Sequence, residues 1–140
     1  MDEAKRDYIQ QWLHKAYTDL QSAQRLAARP DPILETALFH CQQAAEKAVK
    51  AYLAYRDHPL EKTHDVEKLV ALAVSYEPRF ATWQQAAEML TPYATTFRYP
   101  PEVREPEEEE YAQARQAAAG LFAFVCSLLP EEAQPASPKN

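Results

Sequence analysis

The sequence predicts an all-α protein, an up-down four-helix bundle with one additional short helix. Glycine occurs only once in 140 residues, at Gly120, and no apolar–polar alternation bounded by turn residues is long enough to predict a sheet. The long segments consist mainly of strong helix formers, namely alanine, leucine, glutamate, glutamine and lysine. A chain of this length suffices for one domain and is too short for two ordinary ones.

The first two helices are the most clearly marked. In residues 4–28, apolar side chains recur every three or four positions, which predicts a long amphipathic helix. These residues are Ile9, Trp12, Leu13, Ala16, Leu20, Ala23 and Leu26. Two prolines in residues 30–32 end this helix, and the second runs from about residue 33 to 55. Its many alanines allow neighbouring helices to approach closely.

The third and fourth helices are bounded by prolines. After a turn at residues 56–64, Thr63 is placed to cap a short third helix that ends before Pro78. The fourth helix covers about residues 80–96, and Pro92 should kink or divide it.

The last helix covers about residues 106–129 and completes a single domain, residues 1–129. The run Glu107–Glu110 lies at its start, where carboxylates are favoured by the helix dipole, and we interpret the run as structural. Residues 130–140 are rich in proline, serine and alanine and predict a disordered tail.

Charge and composition limit the possible functions. The net charge of −6 argues against a general DNA or RNA coat, because non-specific nucleic-acid binding needs an excess of Lys and Arg. Residues 40–64 are about neutral, which leaves a local phosphate site possible. The charged N-terminus and the lack of a long apolar run predict a cytoplasmic protein with no membrane contact.

No metal or cofactor is predicted. His40 and Cys41 are adjacent, so on a helix they point about 100° apart and are poorly placed to chelate one ion. Cys41 and Cys126 form no CxxC pair, and each lies in an apolar stretch, which favours reduced core residues.

Three residues of the second helix and the following turn are candidate phosphate ligands. Lys47 and Lys50 share one helix face and could bind phosphate, or they could belong to an exposed ion-paired surface with Glu46. His64 stands at a helix start in Lys62–Asp65, where backbone N–H groups can receive an anion. It could also exchange protons near neutral pH, or simply bind the backbone of its turn.

Arg98 and Tyr99 form the group that most strongly indicates a binding site. Pro100 forces Tyr99 out of the helical region, so the chain leaves the fourth helix abruptly and holds Arg98 at its end. A guanidinium in this position suits bidentate phosphate binding. It equally suits a structural salt bridge to Asp65 or Glu102.

Several short segments of the sequence have a recognisable order and spacing, namely Trp12-Leu13 with Ala16 and Asp19-Leu20, the segment Ala37–Leu53, Thr63-His64-Asp65, and Tyr93-Ala94 through Arg98-Tyr99-Pro100. Together these segments resemble the HEPN family, the higher-eukaryote and prokaryote nucleotide-binding domain. The similarity covers about residues 5–129. It implies a four- to five-helix bundle that pairs into a homodimer and has a link to nucleotides or RNA. Prokaryotic members often act beside a minimal nucleotidyltransferase in toxin–antitoxin pairs.

Many HEPN proteins are also metal-independent endoribonucleases, whose sites combine an arginine and a histidine with four to six residues between them. Here the positions after Arg98 that should hold this histidine are Val103, Arg104 and Glu105. The general acid–base partner that RNA cleavage needs is therefore missing from the motif.

The leading hypothesis is accordingly a non-catalytic helical partner of a nucleotidyltransferase. Its nucleotide or RNA-phosphate site would use Lys47, Lys50, His64, Arg98 and Tyr99. The first alternative is an endoribonuclease in which Arg98 works with His64 despite their separation in sequence. The second is a structural helical adaptor whose polar residues only solvate the bundle.

Overall fold

The computed structural model describes residues 1–101 and 104–135, and the described chain is all-helical with no β-strand. Five α-helices are present: α1 (Glu3–Leu26), α2 (Leu34–Tyr55), α3 (Val66–Val74), α4 (Gln84–Leu90) and α5 (Glu108–Leu128). Short 3₁₀ helices cover Pro78–Trp83, Thr91–Ala94 and Glu131–Ala133. The arrangement is compatible with the predicted up-down bundle, and the all-α prediction is confirmed.

Helix α2 lies at the centre of the protein. Nearly every residue from Cys41 to Leu53 is buried, whereas α1 and α5 bury only one stripe each. The alanines of α2 explain this position, because small side chains let helices pack on several faces at once. α1 runs antiparallel to it, with Trp12 beside Lys50 and Asp19 beside Lys47.

Aromatic side chains fill the space where α2, α5 and the Pro78–Trp83 segment meet. The Phe80 ring is fully buried and lies 4.8 Å from that of Tyr52 and 4.9 Å from that of Phe124, between ring centroids. Gly120 of α5 lies against Trp83, and a Cβ added to this glycine would come within 2.7 Å of the indole ring. A glycine inside α5 is therefore a requirement of packing.

The start of α3 differs from the prediction. Asp65 caps the helix by accepting a hydrogen bond from the backbone N–H of Lys68, at 3.1 Å. The hydroxyl of Thr63 instead accepts from the backbone N–H of Asp65. The predicted Thr63 cap is therefore wrong by two residues. Both residue types cap helices, and the aspartate is the one directly before the first helical residue.

The predicted fourth helix is divided into three pieces. Its first part, Pro78–Trp83, is a 3₁₀ helix, and Pro92 lies in a second 3₁₀ helix that follows α4. The division at Pro92 is as expected, since a proline has no N–H to continue the helical bonds. The prediction that Pro78 merely ends the preceding helix is incomplete, because this residue also begins the next element.

The segment after α5 also differs from the disordered tail predicted for residues 130–140. Glu131–Ala133 form a 3₁₀ turn in which Ala133 is fully buried. The side chain of Gln10 on α1 donates to the backbone carbonyl oxygens of Glu132 and Gln134. This segment thus packs on the bundle, while residues 136–140 lie outside the described part of the chain.

Candidate functional site

A cleft of about 380 Å³ opens between the start of α2 and the segment that follows the Thr91–Ala94 turn. It is lined by Glu35, Thr36, Phe39, His40, Phe97 and Arg98. The guanidinium carbon of Arg98 lies 4.1 Å from the ring centroid of Phe39 and 5.9 Å from that of Tyr99. Stacking on an aromatic face holds the planar guanidinium while leaving its N–H groups at the edge.

The backbone before Arg98 explains how this side chain reaches the cleft. Phe97 adopts a positive φ of 72°, a left-handed conformation that costs energy for a bulky residue. Its ring is held in place by stacking on Tyr93, with centroids 6.4 Å apart. Arg98 also donates to the backbone carbonyl of Ala94 at 3.2 Å. The sharp turn at Phe97 thus directs Arg98 back over α2.

A carboxylate on α1 orients the histidine of the cleft. Oδ1 of Asp19 lies 2.7 Å from Nδ1 of His40, and Oδ2 accepts from the ammonium of Lys47, also at 2.7 Å. The Asp19 carboxylate is buried, whereas about a quarter of the His40 side chain is exposed. Nε2 of His40 has no hydrogen-bond partner among residues 1–101 and 104–135, so it is available to a ligand in the cleft.

A second polar cluster surrounds Glu46, which follows His40 on α2 by less than two helical turns. Its Oε1 lies 2.9 Å from Nδ1 of His64, and its Oε2 accepts from the Lys50 ammonium at 2.9 Å. Gln42 donates to the same carboxylate at 3.2 Å and to the backbone carbonyl of His64 at 2.8 Å. Since Glu46 and Lys50 are both buried, this cluster fixes the turn before α3 onto α2.

A third polar cluster, centred on Glu110, supports the segment that carries Arg98. The carboxylate of Glu110, in the first turn of α5, accepts from Arg104 at 2.7 and 3.1 Å and from the Tyr93 hydroxyl at 2.5 Å. The bidentate Arg104 contact lowers the pKa of Glu110 to about 2. Burial and the Glu110 contact raise the pKa of Tyr93 well above its usual range. These bonds hold Tyr93, on which Phe97 stacks.

The HEPN domain profile matches residues 9–129 of the chain. The chain belongs to the HEPN domain family. The solved structures include the crystal structure of an archaeal HEPN homologue with the same fold, at a TM-score of 0.65 and 24% sequence identity. That match covers 86% of this chain and 96% of the archaeal one. No curated protein matches the sequence at a significant level.

Two further findings on this HEPN domain concern membrane-spanning helices and metal-binding groups. None of the helices in the described residues is long and apolar enough to span a membrane. Within the same residues, no group of three or more His, Cys, Asp or Glu side chains is arranged to hold a metal ion.

The five residues proposed as ligands from the sequence fall into three groups. Arg98 lines the cleft, and Tyr99, which is 67% exposed, lies beside it. Lys50 and His64 both contact Glu46, and Lys47 is bound to Asp19. The ion pair predicted between Lys50 and Glu46 is present, but the prediction that it lies on an exposed surface is wrong, because both side chains are buried in the HEPN bundle.

The proposed salt bridges of Arg98 have separate outcomes. Asp65 is occupied in capping α3, and Arg98 makes no ion pair with a described residue. Glu102, the other proposed partner, lies outside the described residues.

Sequence analysis missed Phe39, His40 and Asp19 as members of the site. One signal was available for Asp19, since it lies within the apolar stripe of the first helix, between Ala16 and Leu20. A charged residue in such a stripe needs a buried partner. The presence of His40 and Arg98 in one cleft had no signal in the sequence, because 57 residues lie between them and the turn at Phe97 brings Arg98 to the cleft.

Proposed function

We propose that this HEPN protein binds a nucleotide, or one phosphate of an RNA, in the cleft that contains Arg98. We further propose that it acts in the cytoplasm as a non-catalytic homodimer, beside a nucleotidyltransferase in a toxin–antitoxin-type module. HEPN proteins as a family have nucleotide- and RNA-related roles, which agrees with the binding function. The observation that carries the proposal is the exposed Arg98 guanidinium stacked on Phe39.

Arg98 has the features of a phosphate ligand. Its side chain is exposed and bound only to aromatic rings and one backbone carbonyl among the described residues. An arginine without a carboxylate partner keeps its donors for an anion, and two parallel N–H groups match two phosphate oxygens. The exposed Tyr99 beside it offers a ring on which a base can stack, worth about 1–3 kcal/mol.

The composition of the cleft favours a small ligand. Arg98 and His40 can donate to a phosphate, whereas Glu35 and Thr36 offer acceptors for ribose hydroxyls or base amino groups. A net charge of −6 opposes a long polyanion, so contacts to one or two phosphates are expected.

Lys47, Lys50 and His64 contribute less to this proposal than Arg98 does. Lys50 is buried and neutralised by Glu46, and Lys47 is bound to the buried Asp19. A cation already paired in this way gains little by binding a second anion. His64 is exposed and could touch a long ligand that extends from the cleft towards α3.

The binding proposal is tested by titrating a fluorescent adenosine monophosphate and a short single-stranded RNA into the protein. Arg98→Ala should weaken binding at least tenfold. Arg98→Lys should recover only part of the loss, because lysine lacks the planar guanidinium with its two parallel N–H donors. Arg79→Ala is the matched control, since Arg79 is also an exposed arginine and is paired with Glu77. Equal affinities in wild type and Arg98→Ala would refute the site.

The cleft also supports a second candidate function, a metal-independent endoribonuclease. The supporting observation is that His40, oriented by Asp19, lines the same cleft as Arg98, and it replaces His64 as the proposed base. His40 would take the proton of a ribose 2′-hydroxyl as that oxygen bonds to phosphorus. The P–O5′ bond would break, with the leaving oxygen protonated by water and Arg98 stabilising the extra negative charge.

The two candidate functions differ in one assay. Labelled single-stranded RNA is incubated with the protein in EDTA, alongside Arg98→Ala, His40→Ala and His64→Ala. Cleavage that is lost in the first two variants and kept in the third would make the protein an enzyme. Intact RNA in every sample, together with Arg98-dependent binding, would support the non-catalytic function.

The proposed assembly is tested separately. Light scattering coupled to size exclusion should give twice the chain's 16.0 kDa mass for a homodimer. Co-expression with a minimal nucleotidyltransferase should give a complex that survives purification. A complex that forms while no nucleotide or RNA binds would instead favour the structural adaptor.

A further inference from the structure

The orientation of His40 leads to a further inference, which rests on the proposed function. We infer that His40 is a second phosphate ligand and that only its protonated form binds, so that the affinity of the cleft for a phosphodiester falls as the pH rises. Asp19 would act as a positioning residue that determines which ring nitrogen faces the ligand.

The first step concerns the nitrogen that faces Asp19. An ionised carboxylate only accepts hydrogen bonds, so Nδ1 of His40, 2.7 Å from Oδ1 of Asp19, must carry a proton and donate it. The other oxygen of the buried Asp19 carboxylate accepts a hydrogen bond from the Lys47 ammonium. The Nδ1–H form of the ring is therefore fixed by its surroundings.

The second step concerns the other nitrogen. In a neutral imidazole with a proton on Nδ1, Nε2 carries a lone pair and can only accept a hydrogen bond. A phosphate oxygen is also an acceptor, so the neutral ring cannot bind it through Nε2. Once His40 is protonated, Nε2 donates and the ring is positively charged, which gives a charge-assisted bond to the phosphate. Histidine is the side chain that makes this change between about pH 5 and 8.

The third step places His40 and Arg98 on one ligand. Both line the same cleft, and both lie close to Phe39. The ring centroid of Phe39 is 4.1 Å from the guanidinium carbon of Arg98 and 5.6 Å from the ring centroid of His40. A phosphate bound in this cleft would therefore lie near both donors. Among the described residues, the charged groups around His40 are Asp19 from α1, Arg98 from the segment after α4, and Glu35 on α2 itself. Lys47, also on α2, binds the second oxygen of Asp19.

The test uses a ribodinucleoside monophosphate, because its single phosphodiester keeps one negative charge throughout this pH range. Binding is measured by calorimetry in EDTA from about pH 5.5 to 8, and chromatography confirms that the probe stays intact. The dissociation constant of the wild type should rise about tenfold across the range, the size expected for one charge-assisted hydrogen bond. His40→Gln should bind weakly at every pH, with a nearly flat profile.

Two matched variants separate His40 from other titrating groups. His14→Gln changes an exposed histidine on α1 and should follow the wild-type profile. Glu35→Gln keeps an acceptor oxygen at the rim of the cleft but removes the negative charge that repels a phosphate, so it should bind more tightly with the pH dependence intact. If Glu35→Gln flattened the profile, the carboxylate would be responsible and the inference would be wrong.

A second measurement does not depend on a variant that folds. In nuclear magnetic resonance spectra, saturation with the dinucleotide should move the titration midpoint of His40 to higher pH, by about one unit for a tenfold effect. Binding without such a shift, or a pH profile that His40→Gln leaves unchanged, would overturn this inference and leave the Arg98 site standing. Absence of binding by the wild type at every pH would overturn both.

Discussion

Asp19 and His40 meet across the interface of α1 and α2, with 2.7 Å between the carboxylate Oδ1 and the imidazole Nδ1. They are 21 residues apart and belong to antiparallel helices. The second oxygen of Asp19 binds Lys47, so one buried carboxylate connects α1 to two positions of α2 that lie about two helical turns apart. The contact therefore fixes how α1 is placed along α2, and it also aims His40 into the Arg98 cleft.

Substituting Asp19 should destabilise the fold. Asp19→Asn removes the charge that balances Lys47 and replaces one acceptor by an amide donor, leaving a partly buried ammonium without its counter-ion. A loss of about 3 kcal/mol in the free energy of unfolding is expected, the size seen when one partner of a buried pair is removed. Urea denaturation measures this loss.

The matched control is Asp31→Asn, since Asp31 is exposed in the loop between the same two helices. It should change the free energy of unfolding by less than about 0.5 kcal/mol. Similar small losses in both variants would show that the buried Asp19 contacts do not stabilise the protein.

The sequence predicts most of the helical framework because the framework depends on local patterns. The apolar repeat of the first helix and the effect of Pro92 act within a few residues, and both are found in the structure. The helix cap was misplaced because Thr63 and Asp65 have similar chemistry, and only backbone geometry selects Asp65.

The site was only half predictable for a related reason. Arg98 was found because Pro100 limits the neighbouring backbone, which is a local effect. Its neighbours Phe39 and His40 lie almost sixty positions earlier and are brought close by packing. Lys50 was expected at the surface because it shares a face of helix α2 with other polar residues. In the structure, α1 and the turn before α3 cover this face.

The buried pair of Glu46 and Lys50 gives a prediction about both partners. Glu46→Leu leaves the Lys50 ammonium, 8% exposed, without its counter-ion and should cost about 3–5 kcal/mol of unfolding free energy. The double variant Glu46→Leu with Lys50→Met should recover most of that loss, because no buried charge is left unpaired. Thermal and urea unfolding of the single and double variants measure the difference. Additive losses in the double variant would contradict this account.

Glu110 should make stability depend on pH in the acid range. Its pKa is lowered from 4.5 to about 2 in the folded protein, chiefly by the hydrogen bonds from Arg104. The unfolded chain therefore binds a proton at higher pH than the folded one, so this contribution is full above about pH 5 and is lost as the pH falls towards 2. Glu110→Gln should lower the melting temperature at pH 6 and reduce its further fall between pH 5 and 3. Glu109→Gln, an exposed neighbour, is the control.

Gly120 should resist the substitution that normally stabilises a helix. Alanine is favoured over glycine by about 1 kcal/mol inside a helix, so Gly120→Ala would be stabilising if space were available. Here the new Cβ would lie 2.7 Å from Trp83, whose ring packs against Phe124, and the overlap should cost about 1–3 kcal/mol. A net loss of roughly 1 kcal/mol is expected in urea denaturation. In a Trp83→Leu background the same substitution should become neutral or stabilising, since the indole is gone. A stabilised Gly120→Ala in the wild-type background would show that Trp83 moves aside without cost.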